Sequence, residues 1–392
     1  MLTYEEALST ILDAVAPLQS ESESLVMLPG RILAEPIVAP IDLPVFDNSA
    51  VDGYGVGLPI KGPLRLKGEL AAGSDPTNVS VGKGETIRIF TGAPVPAGVN
   101  AVAMQEDCVV ENGSVTIGGK LKVGEHVRRR GDELTAGTRI FDSGVLVTPP
   151  VLGVLAMCGV ASASVARRPR ITVVETGTEL VEPGQPLTPG AVYAANGVAL
   201  AAAAQALGAE TRILRATDDP ALLKETLRDA MNDADLVVTS GGVSVGDHDL
   251  VRPTWESLGV REVFWRVSIK PGKPVFFGKS ESGPLVLGLP GNPVSSLVTF
   301  RLFVRPALLA LQGRKDGGIF TVRAGVEMRG SDSRDEFVRV NLRDGHAYPT
   351  PHQGSNEATG LATADALVRL PAGTVRLKSG EKASALLLDW AP

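Results

Sequence analysis

Two lysines three residues apart stand in a segment stiffened by proline, Lys270-Pro271-Gly272-Lys273-Pro274. Proline restricts the backbone, and two pre-positioned ammonium groups suit an oxyanion or a phosphoanhydride under attack. A lysine pair left in solvent is the plainer reading of the same residues. A second segment reads Ser240-Gly241-Gly242-Val243-Ser244-Val245-Gly246-Asp247-His248-Asp249. Gly241 and Gly242 allow backbone N–H groups to approach a phosphate closely, and Ser244 adds a hydroxyl. Asp249, with Glu179 and Asp218, offers carboxylate oxygens of the kind that select magnesium. The bland alternatives are a simple Gly-Gly turn and, at Asp218 or Asp219, a helix cap. His248 beside Asp247 is a candidate base or a surface imidazole, and Arg128-Arg129-Arg130 is a solvated run or a phosphate clamp. No serine-histidine-acid triad or reactive-cysteine setting is apparent, so the residues by themselves reach phosphate-ester or anhydride chemistry and no further.

These residues fall between elements that would position them. A buried strand over residues 171–174, an alanine-rich helix capped by Asn196 and closed by Gly208, and a strand over 212–216 come first. Asp219-Pro220 then opens a helix carrying Leu223, Leu227 and Met231, followed by a strand over 236–239. A helix near 250–258, strands near 263–269 and 285–289, and a long helix over 293–311 complete a doubly wound α/β unit. In an open parallel sheet, ligands bind beyond the carboxyl ends of the strands. The loops 175–179, 217–219, 240–249 and 288–293 are therefore expected to meet at one edge.

Outside that unit the patterning differs. Thr3 with Glu6 forms a capping box ahead of Leu8, Ile11, Leu12 and Val15, which predicts a helix whose apolar face needs a partner surface. Residues 56–147 read as short β-rich runs broken by glycine. A basic link over 167–170 precedes the α/β unit, and β patterning returns beyond Gly317 up to residues 384–388.

Composition bounds the rest. A chain of 392 residues with 44% hydrophobic and 21% charged side chains is globular and too long for one core, which implies two to four domains. A net charge of -6 argues against a nucleic-acid partner. Cys108 and Cys158 stand alone and the four histidines are scattered, so neither a disulfide framework nor a zinc site is encoded. The start has no basic signal-peptide region and the alanine-rich stretch over 198–207 is too short to span a bilayer, from which we expect a cytoplasmic protein.

Six motifs in order resemble those of one known family, the MoeA molybdopterin molybdenumtransferases, which include the E domain of gephyrin. They are Phe46-Asp47-Asn48-Ser49-Ala50-Val51-Asp52-Gly53-Tyr54, Thr91-Gly92-Ala93-Pro94, Arg129-Arg130-Gly131-Asp132-Glu133, the loop from Ser240 to Asp249, Lys270 to Pro274, and Leu289-Pro290-Gly291-Asn292-Pro293-Val294-Ser295. The resemblance implies an α/β plus β multidomain fold. Its parts would be an extended N-terminal and dimerisation domain (1–45 and 142–168), a β-rich lever domain (46–141), a doubly wound MogA-like α/β molybdopterin-binding domain (169–315) and a C-terminal β domain (316–392).

It implies a function as well: magnesium-dependent insertion of molybdate into adenylyl-molybdopterin with release of AMP, by a homodimer. Carried over by position, Lys270, Lys273, Asp249, Glu179 and Asp52 are implied catalytic residues. Asp218, Asp249 and Glu179 are implied at the metal. Thr91, Gly241, Gly242, Ser244, Pro290, Pro293, Ser295, Arg334 and Ser355 are implied at the substrate, with Asp52 and Thr91 reaching it across the dimer. Molybdopterin adenylyltransferase and molybdenum enzymes are implied partners. Three departures stand out: Asp132 and Glu133 exchange the order of two acids, Thr178 replaces an aspartate, and Asn356 replaces a glycine. They keep open a gephyrin-like alternative, a dimeric scaffold that binds a short peptide of a membrane receptor or a cytoskeletal protein.

Overall fold

The computed structural model describes residues 1–242, 250–281 and 283–390. Its central unit is a six-stranded sheet in the order Glu210–Ala216, Arg170–Thr176, Leu236–Ser240, Leu285–Leu289, Phe276–Ser280, Val260–Trp265. The first four strands are parallel. Phe276–Ser280 runs antiparallel to both of its neighbours, so the open parallel sheet expected from the sequence is a mixed one. The reason is the short link between Phe276–Ser280 and Leu285–Leu289, which suits a hairpin and cannot hold the crossover helix that parallel neighbours require.

Successive residues of the central strands feed opposite faces. Val173, Val238 and Leu287 join the helix Asn196–Ala206 and the long C-terminal helix in one core. Val174, Val237 and Val286 join Pro220–Ala230 and Val251–Ser257 in the other. The long helix contains a π-helical segment, Phe300–Val304, between Pro293–Thr299 and Arg305–Leu311. By length and composition Pro293–Leu311 is long and apolar enough to cross a membrane, with a mean hydropathy of 1.5, yet 89% of it is buried inside the protein. It is a core helix.

The N-terminal helix Tyr4–Ala14 carries the expected capping box, with Thr3 and Glu6 bonding each other's backbone. Its apolar face finds its partner within the chain: Tyr4 meets Phe303 at 5.8 Å and Phe337 at 5.3 Å between ring centroids. The chain then pairs Ser20–Ser24 with Ser162–Ala166 and Ile37–Val38 with Arg139–Phe141. Between those returns lies a helix, Pro149–Met157, that sequence patterning did not show. It is apolar around its whole circumference, so it has no amphipathic period, and its prolines occupy the first turn, where no N–H is needed.

The β-rich stretch forms a six-stranded sheet, ordered Ala101–Met104, Gly53–Val56, Glu85–Ile89, Leu64–Leu70, Ser114–Ile117, Cys108–Glu111. At the C-terminal end Asp335–Arg343 pairs with both His346–Pro349 and Ala366–Leu370, and Lys382–Leu387 and Ile319–Ala324 complete the circuit. These five strands close on themselves. The two-residue strand Ile269–Lys270 adds to Asp335–Arg343 and ties this barrel to the α/β unit beside the lysine segment.

Candidate active site

Three of the four predicted loops, and the described start of the fourth, converge as expected. A cleft of about 810 Å³ is lined by Glu175, Thr176, Gly177 and Glu179 after one strand, Asp218 after the next, Ser240, Gly241 and Gly242 after the third, and Pro290 to Pro293 after the fourth. Pro274 and Asn356 close it from the lysine segment and the C-terminal unit. Thus Glu179, Asp218, Gly241, Gly242, Pro290 and Pro293 share one cavity. Residues 243–249, carrying Ser244, Asp247, His248 and Asp249, lie outside the described residues.

Gly241 and Gly242 have φ of +96° and +65°. A Cβ on Gly241 would lie 2.7 Å from Thr176 Oγ1, and one on Gly242 would collide with Val251, so both positions exclude side chains and keep the backbone bare toward the cleft.

Asn196 holds this edge together. The sequence suggested a helix cap, but the helix starts from Ala195 without a side-chain cap. Instead the amide nitrogen of Asn196 donates to Ser240 Oγ at 2.9 Å and to the Gly291 carbonyl at 2.7 Å. One side chain thereby ties the helix start to two of the loops. Behind it, buried Glu175 accepts from the Gly197 N–H at 2.7 Å and faces Arg215 at 3.4 Å. A local reading could not find the Asn196 role, because its partners are 44 and 95 residues away.

The carboxylates differ in their surroundings. Thr178 donates to Asp218 Oδ2 from Oγ1 at 3.0 Å and from its N–H at 3.3 Å. The threonine that replaces an aspartate therefore supplies donors to Asp218 where an acid would repel it. Glu179 folds back over Gly177. Asp219, by contrast, is a helix cap, accepting from Ala221 and Leu222 at 2.9 and 3.0 Å.

Lys270 and Lys273 precede the cleft-lining Pro274. Lys270 Nζ lies 2.8 Å from Glu336 Oε1, and Lys273 is exposed. Gly272 packs so closely over Thr299 that a Cβ there would collide with it, which seats the segment on the helix bearing buried Ser295. Ser355 Oγ accepts from Asn292 at 3.2 Å, so its loop reaches the cleft edge. The arginine that supports this loop is Arg339, which patterning missed. It is 1% exposed and donates to the carbonyls of His352 at 2.7 Å and Gly354 at 3.2 Å. Arg334, five residues earlier, is half-buried. A charged residue set between the apolar Val338 and Val340 was the signal available for Arg339.

Asp52 and Thr91 lie in the β-rich unit and do not line this cleft. Asp52 accepts from the Thr91 N–H at 2.7 Å and from its hydroxyl at 2.8 Å, and those bonds hold its carboxyl below the usual range. Arg129 and Arg130 are charge-paired with Asp47 at 2.6 Å and Asp42 at 2.5 Å, and Asp132 accepts from the Arg129 N–H at 2.7 Å. The basic run is therefore spent largely on structure. Both cysteines are free. Burial pushes the Cys108 thiol up to about 11 and raises that of Cys158, which leaves neither poised as a nucleophile.

A bare glycine-lined cleft at the carboxyl ends of parallel strands, edged by carboxylates and with the lysine segment at Pro274 on its rim, defines an α/β protein whose cleft suits an anionic ligand. Comparison with known proteins identifies which one. Residues 2–159 match the MoeA N-terminal region (domain I and II), 172–310 the probable molybdopterin binding domain, and 321–388 the MoeA C-terminal region (domain IV). The molybdopterin molybdenumtransferase of Haemophilus influenzae is 40% identical over 80% of this chain and 79% of its own. That of Nostoc is 35% identical over 99% and 94%. Two structures of the molybdopterin biosynthesis MoeA protein from Pyrococcus horikoshii superpose with TM-scores of 0.83 at 33% identity and 0.86 at 26%. Each covers 99% of this chain, and 99% and 100% of its own. The chain belongs to the MoeA family of molybdopterin molybdenumtransferases.

Proposed function

We propose that this protein is a molybdopterin molybdenumtransferase that inserts molybdate into adenylyl-molybdopterin and releases AMP. The observation that carries the reading is the single cleft in which Glu179, Asp218, the Gly241-Gly242 backbone and the Pro290 to Pro293 loop converge beside Lys270 and Lys273. The bare backbone binds phosphate, and the lysines, with Ser295, Ser355 and Arg334, hold molybdate and the charge that develops as the phosphoanhydride opens. Arg339 positions the Ser355 loop by anchoring its carbonyls.

Glu179 and Asp218 suit magnesium, which is commonly held through one or two carboxylates together with substrate phosphates. Among the described residues, which do not include Asp249, no three His, Cys, Asp or Glu side chains come together. When bound, magnesium supplies charge neutralisation at the phosphates. Asp249 is assigned to the same ion by position in the sequence.

A homodimer is part of this reading. Val26 and Met27 lie on a short 3₁₀ turn that packs beside the helix ending at Met157, and all three are more than half exposed. An apolar patch of this kind suits a second copy. That copy would bring Asp52 and Thr91 to a cleft that lacks them. We place the protein in the cytoplasm, where the adenylyltransferase that makes its substrate and the molybdenum enzymes that take its product would meet it. The domain division given above, 1–45 with 142–168, 46–141, 169–315 and 316–392, is adopted with it.

The test supplies adenylyl-molybdopterin and magnesium with and without molybdate and follows AMP, beside a Lys270→Ala control. Molybdate-dependent AMP that disappears in the control is expected. No AMP from the folded protein would overturn the reading and leave the peptide-binding scaffold in its place.

A further inference from the structure

A second pocket, of about 250 Å³, lies where the long helix passes into the link toward the C-terminal barrel. Its walls include Arg301, Arg305, Arg314 and Lys315, set against the carboxyl groups of Asp316 and Asp389. The π-helical turn carries Arg301 into the interior, where it is 1% exposed, and Arg305 follows at 8%.

Asp316 serves both guanidinium groups at once. Arg301 Nη1 donates to its Oδ2 at 2.6 Å, and Arg305 Nε to its Oδ1 at 3.5 Å. Arg301 Nε also donates to the Leu387 carbonyl at 2.9 Å, and Arg305 Nη1 to the Asp389 carbonyl at 2.9 Å. Arg314 stands differently. Its Nη1 is buried and has no hydrogen-bond partner among the described residues, although a buried charged donor left unmatched is costly. Burial first, and then the charge of Arg305, outweigh the pull of Asp316 and Asp389 and weaken its hold on its proton.

We propose that this pocket binds a free tetrahedral oxyanion of phosphate or sulfate size, through Arg314 and Lys315, with Arg301 and Arg305 supplying the positive field. Guanidinium groups match such oxygens in geometry and charge. The volume falls below the roughly 300–1,000 Å³ of pockets that enclose drug-sized ligands, so an ion fits where a nucleotide does not. Bound there, the ion would pin residues 312–318, which join the α/β unit to the barrel carrying Arg339 and Ser355. The site is separate from the cleft: no residue lines both.

The experiment titrates the full-length protein calorimetrically with inorganic phosphate at constant ionic strength. The Arg314→Gln variant is expected to bind phosphate at this site about tenfold more weakly. Lys270→Ala, which alters the main cleft, is expected to leave this site unchanged. AMP, carrying the same phosphoryl group on a larger body, is expected not to compete here. An Arg314→Gln isotherm that superimposes on the parent would overturn the proposal, and full competition by AMP would overturn its restriction to a free ion. Should Arg314→Gln fail to fold, Lys315→Ala changes an exposed side chain and is expected to weaken the same site. Crystals grown with sulfate supply an independent reading: density at the Arg314 guanidinium supports the site and its absence overturns it.

Discussion

Lys270 Nζ lies 2.8 Å from Glu336 Oε1, and the same two residues are register partners in the short parallel pairing that joins the α/β unit to the C-terminal barrel. The lysine is thus placed by a strand and restrained by a carboxylate belonging to a different unit. Its side chain remains 52% exposed, so the ammonium stays within reach of a ligand.

Because an ion pair exposed to this degree contributes little stability, Lys270→Ala is expected to unfold at nearly the parental temperature. Turnover should nevertheless fall by about 10² or more, the scale of losing a group that stabilises developing charge. AMP release and thermal unfolding measured on the same preparation check both halves, and undiminished turnover would remove Lys270 from the site.

Asn196→Ala should cost about 1–3 kcal/mol, since it leaves the Gly291 carbonyl and Ser240 hydroxyl without their shared donor. The loops it joins line the cleft, so KM should rise as well. Gly197→Ala acts on the same corner from the other side: a Cβ would sit 2.6 Å from Glu175 Cδ, an overpacking expected to cost about 1–3 kcal/mol. Urea unfolding reports the stabilities, and parental midpoints in both variants would show that the corner is held by something else.

The bonds from Thr91 lower the Asp52 carboxyl in the folded state. Its contribution to stability is therefore fully present above the ordinary value of about 3.9 and is lost as pH falls through the lower folded value. Thr91→Val removes the hydroxyl donor and keeps the backbone one, so the Asp52 titration should move part of the way back up. Carboxyl chemical shifts followed by NMR would record this, and an unmoved titration would contradict the assignment.

Tyr4 behaves oppositely. Burial against Phe303 and Phe337 pushes its phenol up to about 12 from the usual 10. The resulting stability is complete below pH 10 and disappears as pH rises through about 12. An absorbance titration of phenolate should show one tyrosine lagging the others, and Tyr4→Phe should abolish the lagging phase. If all tyrosines of the parent titrate together, the helix Tyr4–Ala14 is not seated as described.

The capping box at Thr3 and Glu6, the cap at Asp219 and the strand Leu285–Leu289 were legible because each depends on neighbours in sequence. So was the convergence of the cleft loops, which follows from strand and helix alternation alone. The helix Pro149–Met157 was not legible, since an element apolar on every side carries no period. The reversed direction of the sheet strand Phe276–Ser280 was hidden because a strand's pattern does not state its orientation.

The sequence by itself determined the chemistry on offer: paired lysines stiffened by prolines, glycines that bare the backbone, and carboxylates following strands. These are properties of residue type and spacing over a few positions. Only the tertiary structure decided that Asn196 is a clamp rather than a cap, that Arg339 supports the Ser355 loop, and that Lys270 answers to Glu336. Each of those roles is a contact between residues far apart in the chain, and such contacts exist only once the cores have packed and fixed which faces meet.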